Sequence, residues 1–366
     1  MNGALRVIVA GGGTGGHLFP GLAVAERMKS RVASEILFVG SSRGIEARVV
    51  PTKGFALETL PIRALRGQGA VATAGAAARL AASLVSAWRI LGRFRPHLVV
   101  GVGGYASGPA VLAAWVRRVP TLLLEQNALP GATNRWLGRL VDRICVAFPE
   151  SAAYFPAGRT VETGNPVRVG AAAARTGSGF SVLIFGGSAG AHRLNEIGVE
   201  AMARLRDHGG APSIVHQTGD ADLEWVRGRY RSLGIDANVR VFIDDMAQAY
   251  ANADVVVCRA GATTIAELTA LGKPAILVPY PYAADDHQRK NAESLVRRGA
   301  ARMILDRDLS AENLSAAVAE LRDEPERLRA MADASRMLGR RDAADRVVDV
   351  CLDLVRMRKE SLDVRA

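Results

Sequence analysis

The chain has 366 residues, enough for two domains of about 150 residues each. Hydrophobic residues make up 49% and aromatics 5%, so its cores are aliphatic, and 38 glycines imply many tight turns. A net charge of +11, carried mostly by arginine, points to phosphorylated substrates or acidic lipid. No basic run is interleaved with aromatics, which argues against nucleic acid. Cys145, Cys258 and Cys351 are dispersed and show no metal or redox spacing, so they read as reduced packing residues.

Taken in order, apolar runs alternate with helical patterns. Residues 1–5 carry no signal-peptide pattern, and the first strand is expected at 6–10. Further strands follow at 35–39, 98–102, 121–125 and 143–147, with helices at 21–29, 44–51, 71–92, 108–117 and 131–140. Residues 69–91 are too rich in alanine, and too interrupted by Arg79 and Arg89, to span a membrane. Segment 163–179 breaks the rhythm and reads as a crossing between lobes. Strands resume at 181–185, 213–217, 239–242, 255–258, 275–278 and 301–304, with helices at 190–206, 221–233, 246–252, 263–270, 288–298 and 310–323. A helical, charged tail follows 324. Such alternation implies two α/β lobes, each a parallel sheet with helices on both faces. Ligands then lie beyond the carboxyl ends of the strands.

LRVIVAGGGTGGH (5–17) and SVLIFGGSAGAHRLN (181–195) are the same strand–glycine–helix unit, which brings backbone N–H groups against phosphate. Two copies suggest a transferase holding two phosphate-bearing substrates in a cleft. GGGTGG (11–16) also fits a dinucleotide fingerprint. No acid closes the second strand, but FVGSSR there can take an NADP 2′-phosphate, so a nicotinamide oxidoreductase stays open. His17, in the first turn of its helix, is either a general base or a loop brace. Pro20 fits an early helical position. GVGGYASG (101–108) places Gly103, Gly104 and a projecting Tyr105 in the first lobe, where Gly12 and Gly13 complete an acceptor-facing cup. In LEQN (124–127), Asn127 points inward, while Glu125 and Gln126 satisfy loop amides. In the second lobe Ser188 donates to a phosphate. Glu267 either accepts two ribose hydroxyls or merely stabilises a first helical turn. His287 and Gln288 read sugar hydroxyls, and Asp285 and Asp286 cap the following helix. No metal set is expected.

The ordered set GGGTGGHLFPGLA, GVGGYASGP, EQN, GNPVR, GGSAGA, FIDDM, CRAGATTIAEL and DDHQRKNA resembles the MurG family of peptidoglycan glycosyltransferases over about residues 5–350. The resemblance implies a GT-B fold, with an acceptor- and membrane-associating lobe at 1–163. A UDP-sugar lobe follows at 164–340, and a helix at 341–366 returns to the first. It implies an inverting enzyme without cofactor, taking UDP-N-acetylglucosamine and a lipid-linked muramoyl-pentapeptide at the cytoplasmic membrane face. Docking of other cell-wall synthesis proteins fits the same resemblance. Thr14, Gly15, Gly16, Asn127, Arg168, Ser188, Ile243, Ala262, Thr263, Thr264, Ile265, Ala266, Glu267 and Gln288 match donor-contacting positions. Leu124, Ala189, Thr263 and His287 depart from the common pattern without removing a group the reaction requires. Leu80, Leu84, Val85 and Trp88, joined by Trp115, then form an apolar face for an anionic membrane. The alternatives are a core-facing role for that helix, a UDP-N-acetylglucosamine 2-epimerase, and a membrane-bound nucleotide sensor without turnover.

Overall fold

The structure is a computed structural model that describes residues 4–62, 70–167, 174–187 and 190–363. The chain divides into Met1–Val167 with Arg341–Ala366 as unit 1, and Arg168–Arg340 as unit 2.

Unit 1 runs β1 (Leu5–Gly11), α1 (Gly15–Arg31), β2 (Ser34–Ser41), α2 (Glu46–Thr52), β3 (Ala56–Leu60), α3 (Ala70–Phe94), β4 (Leu98–Gly103), α4 (Ser107–Val116), β5 (Thr121–Glu125), α5 (Ala132–Leu137), β6 (Arg143–Val146) and β7 (Thr160–Glu162). All seven strands are parallel, in the order β3-β2-β1-β4-β5-β6-β7. The central strands are buried on both faces, and for that reason they read as unbroken apolar runs. The two edge strands, ALETL and TVE, lack such runs and were not expected from the sequence. Pro20 is the sixth residue of α1, beyond the first turn where a missing N–H goes unnoticed, and it is buried.

Unit 2 runs β8 (Ser181–Phe185), α6 (His192–Asp207), β9 (Ser213–Gln217), α7 (Leu223–Ser232), β10 (Asn238–Arg240), α8 (Met246–Asn252), β11 (Val255–Cys258), α9 (Ala262–Leu271), β12 (Ala275–Leu277), α10 (His287–Val296), β13 (Arg302–Met303), α11 (Ala311–Asp323) and α12 (Pro325–Leu338). Its parallel strand order is β10-β9-β8-β11-β12-β13. The last helix, α13 (Ala343–Asp363), belongs to unit 1. Its Val347, Val348, Cys351 and Leu354 share one core with Val7, Leu22 and Val100. Arg27 and Arg31 of α1 pair with Asp345 and Asp349, each at 2.7 Å.

Candidate active site

Each sheet reverses its strand order once. In unit 1 the reversal lies between β1 and β4, and in unit 2 between β8 and β11. At such a point the two flanking βα turns diverge and leave a crevice at the carboxyl ends. The four turns bordering these crevices are the glycine loops read from the sequence. The helices that follow them, α1, α4, α6 and α9, have no side-chain N-cap and no acid in the first turn. Asp245 caps α8 and Ser310 caps α11, whereas α5 and α10 share the uncapped, acid-free start. The crevice helices therefore present N-terminal N–H groups and positive dipole ends without a capping side chain of their own.

In unit 1 the glycines are dictated by close approach. A Cβ on Gly11 would lie 2.2 Å from the Gly103 oxygen, and one on Gly104 would lie 2.4 Å from the Gly12 oxygen. Both residues also have positive φ. His17 packs over Gly103, where a Cβ would come within 2.7 Å of the ring. Its Nδ1 is 3.2 Å from Thr14 Oγ1. Tyr105 stands half-exposed on the second loop, and Gly13 has open space around it.

A residue the sequence did not suggest lies beneath this loop. Glu46, at 1% exposure, accepts from the Gly13 N–H at 2.7 Å and from the Ser41 N–H and hydroxyl at 2.8 Å. Burial pushes its carboxyl up, but the donated N–H and O–H groups hold it below the ordinary range. Glycines at 12, 40 and 44 leave room for that carboxylate. One anion thus occupies an amide of the dinucleotide-like loop and also the Ser41 groups that an NADP 2′-phosphate needs. This removes the physical basis of the nicotinamide reading. Only the bare GIEAR segment opening α2 hinted at the acid.

The EQN segment behaves as a brace. Glu125 is buried and accepts from the Asn127 N–H at 2.9 Å, from Asn134 Nδ2 at 2.9 Å and from the Gly131 N–H at 3.3 Å. Gln126 donates to the Val102 carbonyl at 3.0 Å. Asn127 is half-buried, with its side-chain Nδ2 3.4 Å from Glu125.

In unit 2, Gly187 and Gly190 take positive φ, and a Cβ on Gly190 would meet the Thr218 carbonyl oxygen at 2.0 Å. Ser188, Ala189 and Arg168 lie outside the described residues. Ile243, Ala262 and Ile265 are buried, while Thr264 and Ala266 are half-buried. Thr263 is half-buried too, and its hydroxyl oxygen is enclosed without a partner. Glu267 lies beyond the first turn of α9, and the Tyr250 hydroxyl donates to it at 2.9 Å. That sets aside the first-turn reading. Burial pushes its carboxyl to about 7 despite this bond. Gln288 places its oxygen against the N–H groups of Ala260 and Tyr280, at 3.1 and 3.0 Å, leaving only its amide nitrogen for a ligand. His287 donates from Nδ1 to the Ala284 carbonyl at 2.7 Å. Asp285 and Asp286 both adopt left-handed φ, and Asp286 makes no side-chain cap bond, so the capping role expected of it fails. Its contact is instead Arg289, at 3.8 Å.

On α3 and α4 of unit 1, Leu80, Val85, Trp88 and Trp115 are exposed, and Leu84 is half-buried. Arg117 lies 4.0 Å over the Trp88 ring and donates to its carbonyl at 3.1 Å. Among the described residues, no helix is long and apolar enough to cross a membrane.

Replacing Glu46 with alanine orphans two backbone N–H groups, so we expect a loss of about 2–4 kcal/mol in urea unfolding. Glu267 has the opposite sign. Its folded value, about 7, exceeds the ordinary 4.5, so the stability it contributes is complete below 4.5 and is lost as pH rises through about 7. The Glu267→Gln protein should lack that decline between pH 5 and 8 in the same unfolding measurement.

Comparison with known proteins places this geometry. Residues 7–146 match the glycosyltransferase family 28 N-terminal domain, and residues 181–347 match the glycosyltransferase family 28 C-terminal domain. The chain is 50% identical over 360 residues to the UDP-N-acetylglucosamine--N-acetylmuramyl-(pentapeptide) pyrophosphoryl-undecaprenol N-acetylglucosamine transferase of Anaeromyxobacter sp. strain K, spanning 97% of this chain and 94% of that one. The crystal structure of Acinetobacter baumannii MurG is similar with a TM-score of 0.79 and 33% identity, over 94% of this chain and 98% of that one. A UDP-N-acetylglucosamine 2-epimerase crystal structure, with a TM-score of 0.70 at 14% identity over 96% of each chain, shares the fold alone. The two Rossmann-like parallel-sheet units are those of a GT-B fold. The chain belongs to the MurG family of glycosyltransferases.

Proposed function

We propose that this protein transfers N-acetylglucosamine from UDP-N-acetylglucosamine to the C4 hydroxyl of undecaprenyl-pyrophosphoryl-N-acetylmuramoyl-pentapeptide, the lipid-linked step of peptidoglycan synthesis. The observation that carries the reading is the set of four crevice helices without side-chain caps, which suits phosphate-bearing ligands in both units. In one displacement the C4 oxygen attacks the anomeric carbon and the bond to the diphosphate breaks. UDP leaves, configuration inverts, and the hydroxyl proton passes to a base. Charge building on the diphosphate is met by loop amides at 186–191, by the α6 dipole, and by Arg168 and Ser188. No metal ion or cofactor is needed for this. Glu267 accepts the ribose hydroxyls, Ile243 offers backbone to uracil, and Thr14, Gly15, Gly16, Asn127 and the start of α9 hold the sugar. Gly12, Gly13, Gly103, Gly104 and Tyr105 face the acceptor.

His17 is the base. Its Nδ1 lies 3.2 Å from Thr14 Oγ1, and the tautomer in which Nδ1–H donates there leaves Nε2, beside Gly103, as the nitrogen that takes the proton. Incubation with UDP-N-acetylglucosamine and a lipid-linked muramoyl-pentapeptide analogue should give a disaccharide product and free UDP, and absence of both would refute the assignment. His17→Ala should lower kcat by about 10²–10⁴-fold while circular dichroism stays unchanged. Near-normal turnover would leave His17 as a brace only.

Because the acceptor's tail stays in lipid, the protein works from the cytoplasmic face of the inner membrane. Leu80, Val85, Trp88 and Trp115 provide the apolar contact, and the arginines around them meet anionic headgroups. A Trp88→Ala/Trp115→Ala double variant should stay folded and lose most of its sedimentation with vesicles of anionic phospholipid. Undiminished binding would move the contact elsewhere.

A further inference from the structure

Three groups deep in unit 2 take no part in the chemistry above. Tyr230, His216 and Asn195 are fully buried or nearly so, on α7, β9 and α6 respectively. Tyr230 OH lies 3.0 Å from His216 Nδ1, and His216 Nε2 lies 3.2 Å from Asn195 Oδ1. Asn195 Nδ2 donates to the Thr218 carbonyl at 2.9 Å and to Asp222 Oδ2 at 2.7 Å.

The proton positions follow from one end. The Thr218 carbonyl and the Asp222 carboxylate only accept, so the Asn195 nitrogen faces them and its oxygen faces His216. His216 must then carry its proton on Nε2, which leaves Nδ1 to accept from the Tyr230 hydroxyl. Complete burial holds the imidazole neutral, with its pKa lowered to about 3. Every link has one allowed direction. A buried chain with no slack of this kind fixes geometry rather than adding net stability, since apolar residues of like volume serve stability as well.

The chain terminates on the second glycine loop. The Thr218 carbonyl is the atom that Gly190 approaches too closely for any side chain. Gln217, between His216 and Thr218, donates to the Gly187 carbonyl at 2.9 Å. Asp222 also bonds His192 Nδ1 at 2.8 Å, at the first residue of α6. Both flanks of loop 186–191 and the start of its helix are thus held from below.

We propose that Tyr230, His216 and Asn195 are positioning residues that set the second glycine loop, and hence the seat of the donor's diphosphate. This rests on the glycosyl-transfer reading for the donor's place. The full-length protein tests it through calorimetric UDP affinity and steady-state kinetics. His216→Leu breaks the chain, whereas in His216→Gln the amide can still donate at the Nε2 position. We expect His216→Leu to raise the UDP Kd and the donor KM about tenfold, with the acceptor KM within about twofold and His216→Gln within about threefold of wild type. Tyr230→Phe, which loses only a hydroxyl, should raise both about threefold, and it keeps the test available if His216→Leu fails to fold. Wild-type UDP affinity in folded His216→Leu or in Tyr230→Phe, or equal impairment in Leu and Gln, overturns the proposal alone. Wild-type protein that binds no UDP overturns the glycosyl-transfer reading as well.

Discussion

The constraint on which unit 1 depends is the contact between the turns after β1 and β4. The two strands are parallel neighbours at the point where strand order reverses, and Gly11 pairs with Gly103 across that boundary. No Cβ fits on Gly11, Gly103 or Gly104. Bare backbone there lets the His17 ring settle over Gly103 and lets α1 begin without a side-chain cap. A larger side chain at any of the three would part the turns and displace the ring, so the site's geometry is a packing consequence before it is a chemical one.

The same strand–turn–helix unit occurs in both halves, but its loop is held in different ways. In unit 1 an internal carboxylate, Glu46, takes the Gly13 amide and fixes the loop electrostatically. In unit 2 the support is a direction-locked chain through the neutral His216, ending on the Thr218 carbonyl and the Asp222 carboxylate. A fixed negative charge beneath a loop opposes a second anion on the same amides. In unit 2 the carboxylate of the brace, Asp222, takes no loop amide among the described residues and pairs instead with His192 at the start of α6. This difference withdraws the Gly13 amide from any ligand and leaves the uncapped starts of α1 and α4 as the donors of the unit 1 crevice.

Much of this architecture is legible in the sequence because a doubly covered parallel strand must be apolar throughout. The runs VIVA, LVV, VLIF and VVVC could hardly be anything else. The edges hid for the converse reason: ALETL and TVE are half-solvated and carry no distinctive pattern. Glycines at strand ends marked the crevices, since their need is local. Glu46 was invisible because its partners stand 5 and 33 residues away. His216, a polar residue inside the strand SIVHQ, is a local sign of the chain that holds the unit 2 loop.

Two buried carboxylates, Glu46 and Glu125, and the half-buried Glu267 show what separates a brace from a binding group. Glu46 has two N–H donors and a hydroxyl, and it stays ionised. Glu125 is raised by its complete burial, yet donors on Asn127, Gly131 and Asn134 occupy both of its oxygens. Among the described residues, Glu267 has the Tyr250 hydroxyl as its donor, on Oε2. An acid so poorly supplied with donors is held near neutrality of charge by burial, and each further donor would favour its ionised form. Two adjacent hydroxyls on a sugar ring supply such donors at a spacing one carboxylate spans. Of the three acids, Glu267 therefore has the most to gain from a ligand, and the carboxyls already saturated by backbone have the least.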